Sequence, residues 1–344
     1  MSYNFNRILI GSDKTILDAL NQLNNLKEIN RLILLVVNEK GVLIGTVTDG
    51  DIRRSIVKNK DLNKKVDQIC NYKFIFKYDT DTYLNLNELR KQDIKILPLL
   101  NKDKTLSRVI DLDVFRSIIP LECVIMAGGR GKRLSPLTDN VPKPMLILGD
   151  KPIIEHNIDN LISFGIKKIY ISVNYLGEQI SDYFGDGSSK GIEIEYISEE
   201  NFLGTAGSLG LVEEFKSDNI LLMNADLYTN VNLENLFLKL INENADMAIS
   251  STLYKIDVPY AVFESENFKV NALKEKPSYS YYSNAGVYIF KNEILKNIKK
   301  NEYLDITKLI DDLISENKKI IHVPILGFWI DIGNPNEYKN AQQN

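Results

Sequence analysis

Residues 123–138 read Cys123-Val-Ile-Met-Ala-Gly-Gly-Arg-Gly-Lys-Arg-Leu-Ser-Pro-Leu-Thr138 and are followed closely by Val141-Pro-Lys-Pro-Met145. A short apolar run ends in three glycines within four residues, with Arg130 among them and Arg133 close behind. Glycine backbone N–H groups can close around an anion because no Cβ blocks their approach or a positive-φ turn. Lys143 stands between two prolines that stiffen its loop. The stretch predicts a loop that holds a polyphosphate after a buried strand.

The sequence that begins at Leu121 alternates between strand and helix patterns. Apolar runs predict strands at 124–126, 168–173, 192–197 and 219–223, and helical spacing predicts helices at 153–164, 178–184 and 205–215. We expect an α/β fold, a doubly wound mixed sheet of the Rossmann-like type, with ligands at the carboxyl ends of its strands. The glycine loop and Asp226 both follow such ends. Beyond Asp246 paired strands are predicted at 247–253, 261–264, 270–274 and 286–290.

The first 120 residues contain an internal repeat of roughly 60 residues. In the first copy a helix at 14–27 and strands at 32–37 and 42–47 precede Thr48-Asp-Gly-Asp51, which should cap a helix beginning near Ile52. In the second copy a helix should start at 79–83, strands should cover 94–100 and 106–109, and a short helix should follow Asp113. With 344 residues in all, the chain is predicted to form two domains, 1–120 and 121–344.

Composition limits the classes of function. The net charge of -4 argues against a dedicated nucleic-acid binder, and the two cysteines have no metal-site spacing. The first residues lack the basic and apolar regions of a signal peptide, and no apolar run approaches the length of a membrane span. We therefore expect a cytoplasmic protein that binds neither nucleic acid nor membrane.

Six motifs of residues 121–344 together resemble the sugar-1-phosphate nucleotidyltransferases. The similarity covers essentially all of this region, and the motifs occur in the family's order. They are Gly129-Arg-Gly-Lys-Arg-Leu-Ser-Pro-Leu-Thr138 with Pro142-Lys-Pro144, Glu200-Asn-Phe-Leu-Gly-Thr-Ala-Gly207, Asn224-Ala-Asp226, Glu275-Lys-Pro277, Asn284-Ala-Gly286 and Trp329-Ile-Asp-Ile-Gly333.

The resemblance implies a role for each motif. A nucleoside monophosphate would pass from a nucleoside triphosphate to a sugar-1-phosphate, which needs alignment and charge neutralisation rather than a covalent nucleophile. Arg133, Lys143, Asp226 and Asp331 would be catalytic, and the two aspartates would hold Mg²⁺. The alternative is that either aspartate is a turn or cap residue. The implied nucleotide-binding residues are Met126, Ala127, Gly128, Gly129, Gly131, Glu200, Gly204 and Thr205, and those for the sugar phosphate are Glu275, Lys276, Asn284 and Gly286.

The N-terminal repeat resembles a tandem CBS (Bateman) module, an α/β domain whose family binds adenine nucleotides. The residues that carry the match are Gly45-Thr-Val-Thr-Asp-Gly-Asp51. The resemblance implies that Thr48 and Asp51 contact ribose. We also expect the chain to form a homo-oligomer. The alternative is a plain helix cap in a module that serves only dimerisation. In the second copy Ile110 replaces the hydroxyl residue, which argues against a second nucleotide site.

The choice of nucleotide and sugar depends on a few residues. Glu200 with Leu203-Gly-Thr-Ala206 resembles the guanylyltransferases more than the thymidylyltransferases. An acid near the base could accept hydrogen bonds from guanine, and both observations predict GTP as donor. A CBS module fused to this enzyme resembles the glucosamine-1-phosphate guanylyltransferases of legionaminic acid biosynthesis. Mannose-1-phosphate and a heptose-1-phosphate remain open as acceptors. The alternative of another class is a regulatory protein that binds sugar nucleotide without turnover; the presence of Arg133, Lys143, Asp226 and Asp331 argues against it.

Overall fold

The computed structural model of this protein describes residues 5–26, 32–80 and 82–343. Contacts between Cα atoms divide the chain into two compact units, Met1–Ile118 and Ile119–Asn344. The boundary predicted after residue 120 lies close to this division. Each unit has its own apolar core.

The first half of the N-terminal unit is a three-stranded sheet with two helices. Strand β1 is parallel to β2, and β2 is antiparallel to β3. Ile16, Leu34, Val47 and Ile52 are fully buried in its core. The elements in chain order are β1 (Leu9–Gly11), α1 (Ile16–Asn24), β2 (Ile33–Val37), β3 (Leu43–Thr48) and α2 (Asp49–Asn59).

The second half repeats this arrangement, because β4 is parallel to β6 and β6 is antiparallel to β7. Its elements are β4 (Lys77–Tyr78), β5 (Leu84–Asn85), α3 (Asn87–Lys91), β6 (Ile96–Leu100), β7 (Leu106–Asp111) and β8 (Ser117–Ile118). Both helices predicted in this half are wrong. The helix begins at Asn87 rather than at 79–83 (Asp81 lies outside the described residues), because β5 is extended and pairs with β8. Residues 112–116 form no helix, since Arg90 binds the carbonyls of Leu112 and Phe115.

The C-terminal unit contains thirteen described strands and five described helices. They are β9 (Leu121–Met126), β10 (Ile147–Leu148), β11 (Lys151–Pro152), α4 (Ile153–Ser163), β12 (Lys168–Val173), α5 (Gly177–Phe184), β13 (Glu193–Ser198), β14 (Asn219–Asn224), β15 (Leu227–Thr229), α6 (Leu233–Asn242), β16 (Met247–Asp257), β17 (Val262–Glu266), β18 (Lys269–Lys274), β19 (Ser278–Lys291), α7 (Ile306–Ser315), β20 (Ile320–Pro324), β21 (Trp329–Asp331) and α8 (Pro335–Ala341).

Seven of these strands form the central sheet, in the order β13-β12-β9-β14-β19-β16-β20. Only β19 among them runs against its neighbours. The chain moves outward from β9 through β12 to β13 and then crosses back to β14, so the strand order reverses between β9 and β14. Ligands of such sheets bind at this reversal, beyond the carboxyl ends of the strands. The predicted mixed α/β sheet is confirmed.

The predicted helix at 205–215 is reduced to one 3-10 turn, Gly207–Leu211. A Cβ on Gly207 would lie 2.5 Å from the carbonyl oxygen of Glu302, and one on Gly210 would lie 2.8 Å from that of Lys299. Tight packing against another backbone therefore shapes this segment more than helical periodicity does. No helix in the described part of the chain is long and apolar enough to cross a membrane.

Candidate active site

The glycine loop follows β9 and borders a cleft of about 230 Å³. Ala127 N donates to the carbonyl of Ser172 at 2.9 Å, which fixes the start of the loop on the neighbouring strand β12. Gly131 has φ +60, and a Cβ on it would lie 2.9 Å from the Cβ of Lys143. Glycine is therefore required here by both conformation and space. The cleft is lined by Met126, Ala127, Gly129, Gly131, Lys132, Arg133, Lys143, Pro144, Ala225, Asp226 and Gly333.

The two predicted metal-binding aspartates are brought together by a small ladder, β15 with β21. Leu227 pairs with Asp331 in this antiparallel ladder, and the Ile332 N–H donates to the carbonyl of Asp226 at 3.1 Å. Asp226 stands directly after β14, at the reversal of strand order. Residues more than 100 positions apart therefore present two carboxylates at one end of the sheet.

Lys143 lies at these carboxylates. Its ammonium donates a hydrogen bond to Asp226 Oδ2 and lies 4.0 Å from Asp331 Oδ1. The Lys143 side chain is only 14% exposed, so its charge is poorly screened by solvent. Arg133 is exposed and lines the same cleft. The cleft thus combines two carboxylates with the cations that a polyphosphate requires.

The carboxylates fit a magnesium ion. Asp226 Oδ1 is buried without a hydrogen-bond partner, so one oxygen remains for a cation. Burial and the adjacent Asp226 carboxylate raise the pKa of Asp331, although Lys143 and Arg133 partly offset this effect. Among the described residues no three His, Cys, Asp or Glu side chains form a metal cluster. Two carboxylates are nevertheless a usual protein share for Mg²⁺, which takes its other ligands from phosphate and water.

The acid beside the glycine loop is Glu199 rather than the predicted Glu200. Glu199 is buried, and its carboxylate accepts hydrogen bonds from Ser172 Oγ and, at 2.9 Å, from Leu203 N. A Cβ on Gly128 would lie 3.2 Å from Glu199 Oε1. Glu200 is exposed instead. Successive residues of an extended chain point in opposite directions, and the sequence signal for Glu199 was only its position after β13.

Gly204 and Thr205 connect this loop to a second segment. Gly204 has φ +80, and a Cβ on it would lie 2.7 Å from the carbonyl oxygen of Leu304. The Thr205 hydroxyl accepts from the Ile306 N–H at 2.8 Å and thereby caps the first turn of α7. Thr205 thus has a structural partner in addition to its predicted nucleotide contact.

The predicted acceptor residues lie on and beside β19. Asn284 Oδ1 accepts from Gly286 N at 2.9 Å, and a Cβ on Gly286 would lie 2.8 Å from Asn224 Nδ2, next to the aspartate motif. Glu275 and Lys276 occupy the exposed connection between β18 and β19 and do not line the cleft. The structure therefore brings Gly286 to the aspartate motif and leaves Glu275 and Lys276 in an exposed loop.

In the N-terminal unit, Thr48 and Asp51 form a capping box at the start of α2. The Thr48 hydroxyl lies 2.6 Å from Asp51 Oδ2, and Arg54 donates to Asp51 Oδ1 at 2.6 Å. The helix starts at Asp49, earlier than predicted. Thr48 also lines a cavity of about 570 Å³, to which both halves of the repeat contribute.

Comparison with known proteins agrees with this architecture. The family model described as "Nucleotidyl transferase" matches residues 122–344, and that of the "CBS domain" matches residues 5–58. The chain is 34% identical over 227 residues to the "Bifunctional protein GlmU" of Methanococcus maripaludis, covering 62% of this chain and 52% of that protein. It is 32% identical over 231 residues to the "Probable mannose-1-phosphate guanylyltransferase 1" of Oryza sativa subsp. japonica, covering 63% of each. The chain thus spans about half the length of the GlmU relative.

Solved structures share the fold of the C-terminal unit. A putative glucose-1-phosphate thymidylyltransferase from Bacillus anthracis aligns with a TM-score of 0.53 at 24% identity, over 65% of this chain and 94% of that one. HddC from Yersinia pseudotuberculosis, solved in complex with GMP-PN, aligns with a TM-score of 0.51 at 23% identity, over 65% of this chain and 98% of that one. The sequence match extends over most of the chain. The chain therefore belongs to the nucleotidyl transferase family and carries a CBS domain ahead of that region.

Proposed function

We propose that this protein transfers GMP from GTP to a sugar-1-phosphate, preferably glucosamine-1-phosphate, and releases pyrophosphate. The nucleotide-sugar would serve the synthesis of a surface glycan, such as one that contains legionaminic acid. The observation that carries the proposal is the meeting of Lys143, Asp226 and Asp331 beside the glycine loop, at the reversal of strand order. The guanylyltransferase named among the relatives supports GTP as donor.

In the proposed reaction a phosphate oxygen of the sugar-1-phosphate attacks the α-phosphorus of GTP. The new P–O bond forms as the bond between the α-phosphorus and the bridging oxygen breaks, and that oxygen leaves with pyrophosphate. Arg133 and the glycine-loop N–H groups would hold the triphosphate, and Lys143 would stabilise the charge around the α-phosphate. Because these groups are in place before reaction, little reorganisation is needed.

Asp226 and Asp331 would hold Mg²⁺, whose bound charge would help to neutralise the phosphate oxygens. The unpartnered oxygen of Asp226 supports this assignment. Lys143 already donates to the other oxygen of Asp226, which keeps that carboxylate oriented. The protein's own contribution is thus a pair of oriented carboxylates with a cation beside them.

Glu199 and Glu200 are the two candidates for the acid that contacts the guanine base. Guanine carries an amino group and a ring N–H, and a carboxylate can accept a hydrogen bond from each of them. Uracil and thymine lack that amino group. Glu199 is buried against Gly128, so its charge would act on a base held beside the loop. Met126, Ala127, Gly128 and Gly204 would frame that base. Glu275, Lys276, Asn284 and Gly286 remain the proposed contacts of the sugar phosphate.

The N-terminal unit would bind an adenine nucleotide at Thr48 and Asp51. The cavity of about 570 Å³ that Thr48 lines supports this proposal, because it is large enough for a nucleotide-sized ligand. The capping box favours the alternative of a structural role, since both side chains already have partners.

We also propose a homo-oligomer. The outer part of β16 and β19, with the hairpin β17–β18, leaves several apolar side chains between 44% and 64% exposed, and five of them are Tyr254, Ile256, Phe263, Leu273 and Tyr281. They expose roughly 500 Å² of apolar surface, which is about the apolar share of one partner's side of a standard interface. Tyr254 pairs with Tyr281 and Phe263 with Leu273, so each pair shares one face. These faces fit a second copy of the chain.

The test of function is a matrix of substrates. The protein is incubated with Mg²⁺ and each of GTP, UTP, dTTP, CTP and ATP, paired with glucosamine-1-phosphate, mannose-1-phosphate or a heptose-1-phosphate, and pyrophosphate is measured. Fastest release with GTP and glucosamine-1-phosphate is expected. Faster turnover with UTP or dTTP would refute the guanine assignment. No release in any pairing would refute the enzyme and favour the non-catalytic binding protein.

A further inference from the structure

A second cavity of about 430 Å³ lies in the C-terminal unit, between the turn that precedes residue 298 and helix α7. It shares no lining residue with the glycine-loop cleft. Its floor is aliphatic and is formed by Ile294, Ile298, Leu304, Leu309 and Leu313. Its volume is within the range of small-molecule sites in proteins. The cavity is therefore a candidate binding site apart from the chemistry described above.

The rim of this cavity is acidic. Among its described lining residues are three carboxylates, Glu302, Asp312 and Glu316, and one ammonium, Lys299. Lys299 pairs with Glu302, and Lys308 pairs with Asp312 from outside the lining. Glu316 is also the C-cap of α7, where the helix end is itself negative. An aliphatic floor under such a rim favours an apolar ligand that carries one positive charge.

One wall of the cavity is directly connected to residues 203–210, which contain the predicted nucleotide-binding residues Gly204 and Thr205. The backbone of residues 299–304 packs against three glycines at every third position, Gly204, Gly207 and Gly210. A Cβ on any of them would lie between 2.5 and 2.8 Å from a carbonyl oxygen of Leu304, Glu302 or Lys299. No side chain separates the two backbones at these points. A shift of one backbone is therefore not accommodated by a change of side-chain rotamer between them and is passed to the other backbone.

Hydrogen bonds connect the same two segments. Leu304 N donates to the Leu203 carbonyl at 2.9 Å, and the Leu304 carbonyl accepts from Ala206 at 2.9 Å and from Gly207 at 3.1 Å. Leu304 itself lines the cavity. A ligand that displaces Leu304 must therefore also move the loop that begins beside Glu199.

We propose that this cavity binds a small organic cation with an apolar body, and that its occupancy changes the affinity of the glycine-loop cleft for the nucleoside triphosphate. The coupling runs through the backbone contact of residues 299–304 with Gly204, Gly207 and Gly210. The proposal concerns a regulatory site and does not depend on which sugar the enzyme uses.

The first test is binding to the full-length protein. Hexylammonium, 1-hexanol and hexanoate have equal chains and differ in the charge of the head group, and titration calorimetry compares them. Hexylammonium should bind most tightly and hexanoate least. Glu316→Gln should weaken hexylammonium two- to fivefold, as expected for one exposed charge pair, whereas Asp311→Asn on the same helix, outside the lining, should not. Leu309→Trp should abolish binding by filling the cavity. Absence of binding, or equal binding by all three probes, would overturn the site.

The second test concerns coupling and uses the dissociation constant of GTP, measured by titration with and without saturating hexylammonium. At least a twofold change that Leu309→Trp removes is expected. Should Leu309→Trp fail to fold, Glu316→Gln should show the change only at higher probe concentration. Hexylammonium binding with an unchanged GTP constant would overturn the coupling. If GTP itself does not bind, the same comparison is made with the triphosphate that the substrate matrix identifies.

Discussion

The ammonium of Lys143 donates a hydrogen bond to the carboxylate of Asp226, 83 residues further along the chain. This contact depends on two features outside both residues. Gly131 leaves room for the Lys143 side chain, and the ladder between β15 and β21 brings Asp331 Oδ1 to 4.0 Å from the ammonium. The positive charge therefore lies between two carboxylates in the cleft where a polyphosphate would bind. The position of the Lys143 ammonium indicates that it can neutralise negative charge on the two carboxylates or on a bound polyphosphate.

Neutralising either aspartate should abolish most of the activity. We expect Asp226→Asn and Asp331→Asn each to lower kcat by about 10²–10³, as loss of one preorganised electrostatic group does. Both should also weaken Mg²⁺ binding in the presence of GTP, measured by calorimetry. Asp182→Asn, an exposed substitution on α5, is the control and should leave both unchanged. Near-normal rates in either variant, with an unchanged circular dichroism spectrum, would contradict the metal assignment.

Ionisation of Asp331 should lower the free energy of unfolding. Its pKa is raised by burial and by Asp226, so the folded state holds the proton more tightly than the unfolded state. The stabilisation from protonation is present below the ordinary carboxyl pKa and is lost as pH rises through the raised pKa. Asp331→Asn should therefore raise Tm at pH 7 without metal or nucleotide, and this gain should shrink toward pH 4.

Scanning calorimetry across this pH range measures the effect, with Asp182→Asn again as the control. A gain in Tm that is equal at pH 4 and pH 7 would show that the charge of Asp331 is not the cause. Together with loss of activity, a pH-dependent gain would be the signature of a residue retained for function at the expense of stability.

Two glycines of the loop provide a matched pair. Gly131→Ala forces a Cβ into positive φ and against Lys143, so it should cost about 1–3 kcal/mol of unfolding free energy and most of the activity. Gly129→Ala meets nothing within 4 Å and should be nearly neutral for stability. Urea denaturation and pyrophosphate release measure the two effects. Equal effects in both variants would mean that conformation at Gly131 is not what the loop requires.

The fold was largely predictable because its signals are local. Apolar runs gave the strands of the parallel part of the sheet, and β12 at Lys168–Val173 was predicted to the residue. The failures come from contacts that are distant in sequence. Residues 79–83 look like a helix start by pattern, yet Asp79 is held by Arg108 in a partly buried ion pair and Leu84, which follows them, pairs with Ile118. Tertiary partners overrode local propensity there.

The candidate site was predictable to a similar extent. The glycine loop and Lys143 are close in sequence, so their spacing was informative. The register of β15 with β21, which joins Leu227 to Asp331, is set by long-range pairing that no local pattern specifies. The choice between Glu199 and Glu200 depends on which residue faces inward after β13 ends at Ser198. A shift of one residue exchanges the two faces, so the sequence pattern alone does not specify which glutamate faces inward.

Glu199 and Glu200 can be separated by exchanging an acceptor for a donor. Glu199→Gln retains an oxygen for Leu203 N but adds an amide that repels guanine's N–H groups. The ratio of kcat/KM for GTP over UTP should fall by about tenfold or more, the size of one good base contact. Glu200→Gln, on an exposed side chain, should leave that ratio unchanged. The reverse result would return the base contact to Glu200.

The N-terminal unit contains two capping boxes of the same residue types, at Thr15 with Asp18 and at Thr48 with Asp51. Thr15→Val and Thr48→Val each remove a cap and should cost about 1 kcal/mol of stability. Of the two threonines Thr15 and Thr48, Thr48 lines the cavity of about 570 Å³ and Thr15 does not. Titration with AMP, ADP and ATP should therefore show binding that survives Thr15→Val and is lost in Thr48→Val and in Asp51→Ala. If both Thr48→Val and Asp51→Ala still bind the nucleotides, the two residues do not contact them. Their hydrogen bonds then serve only to cap α2.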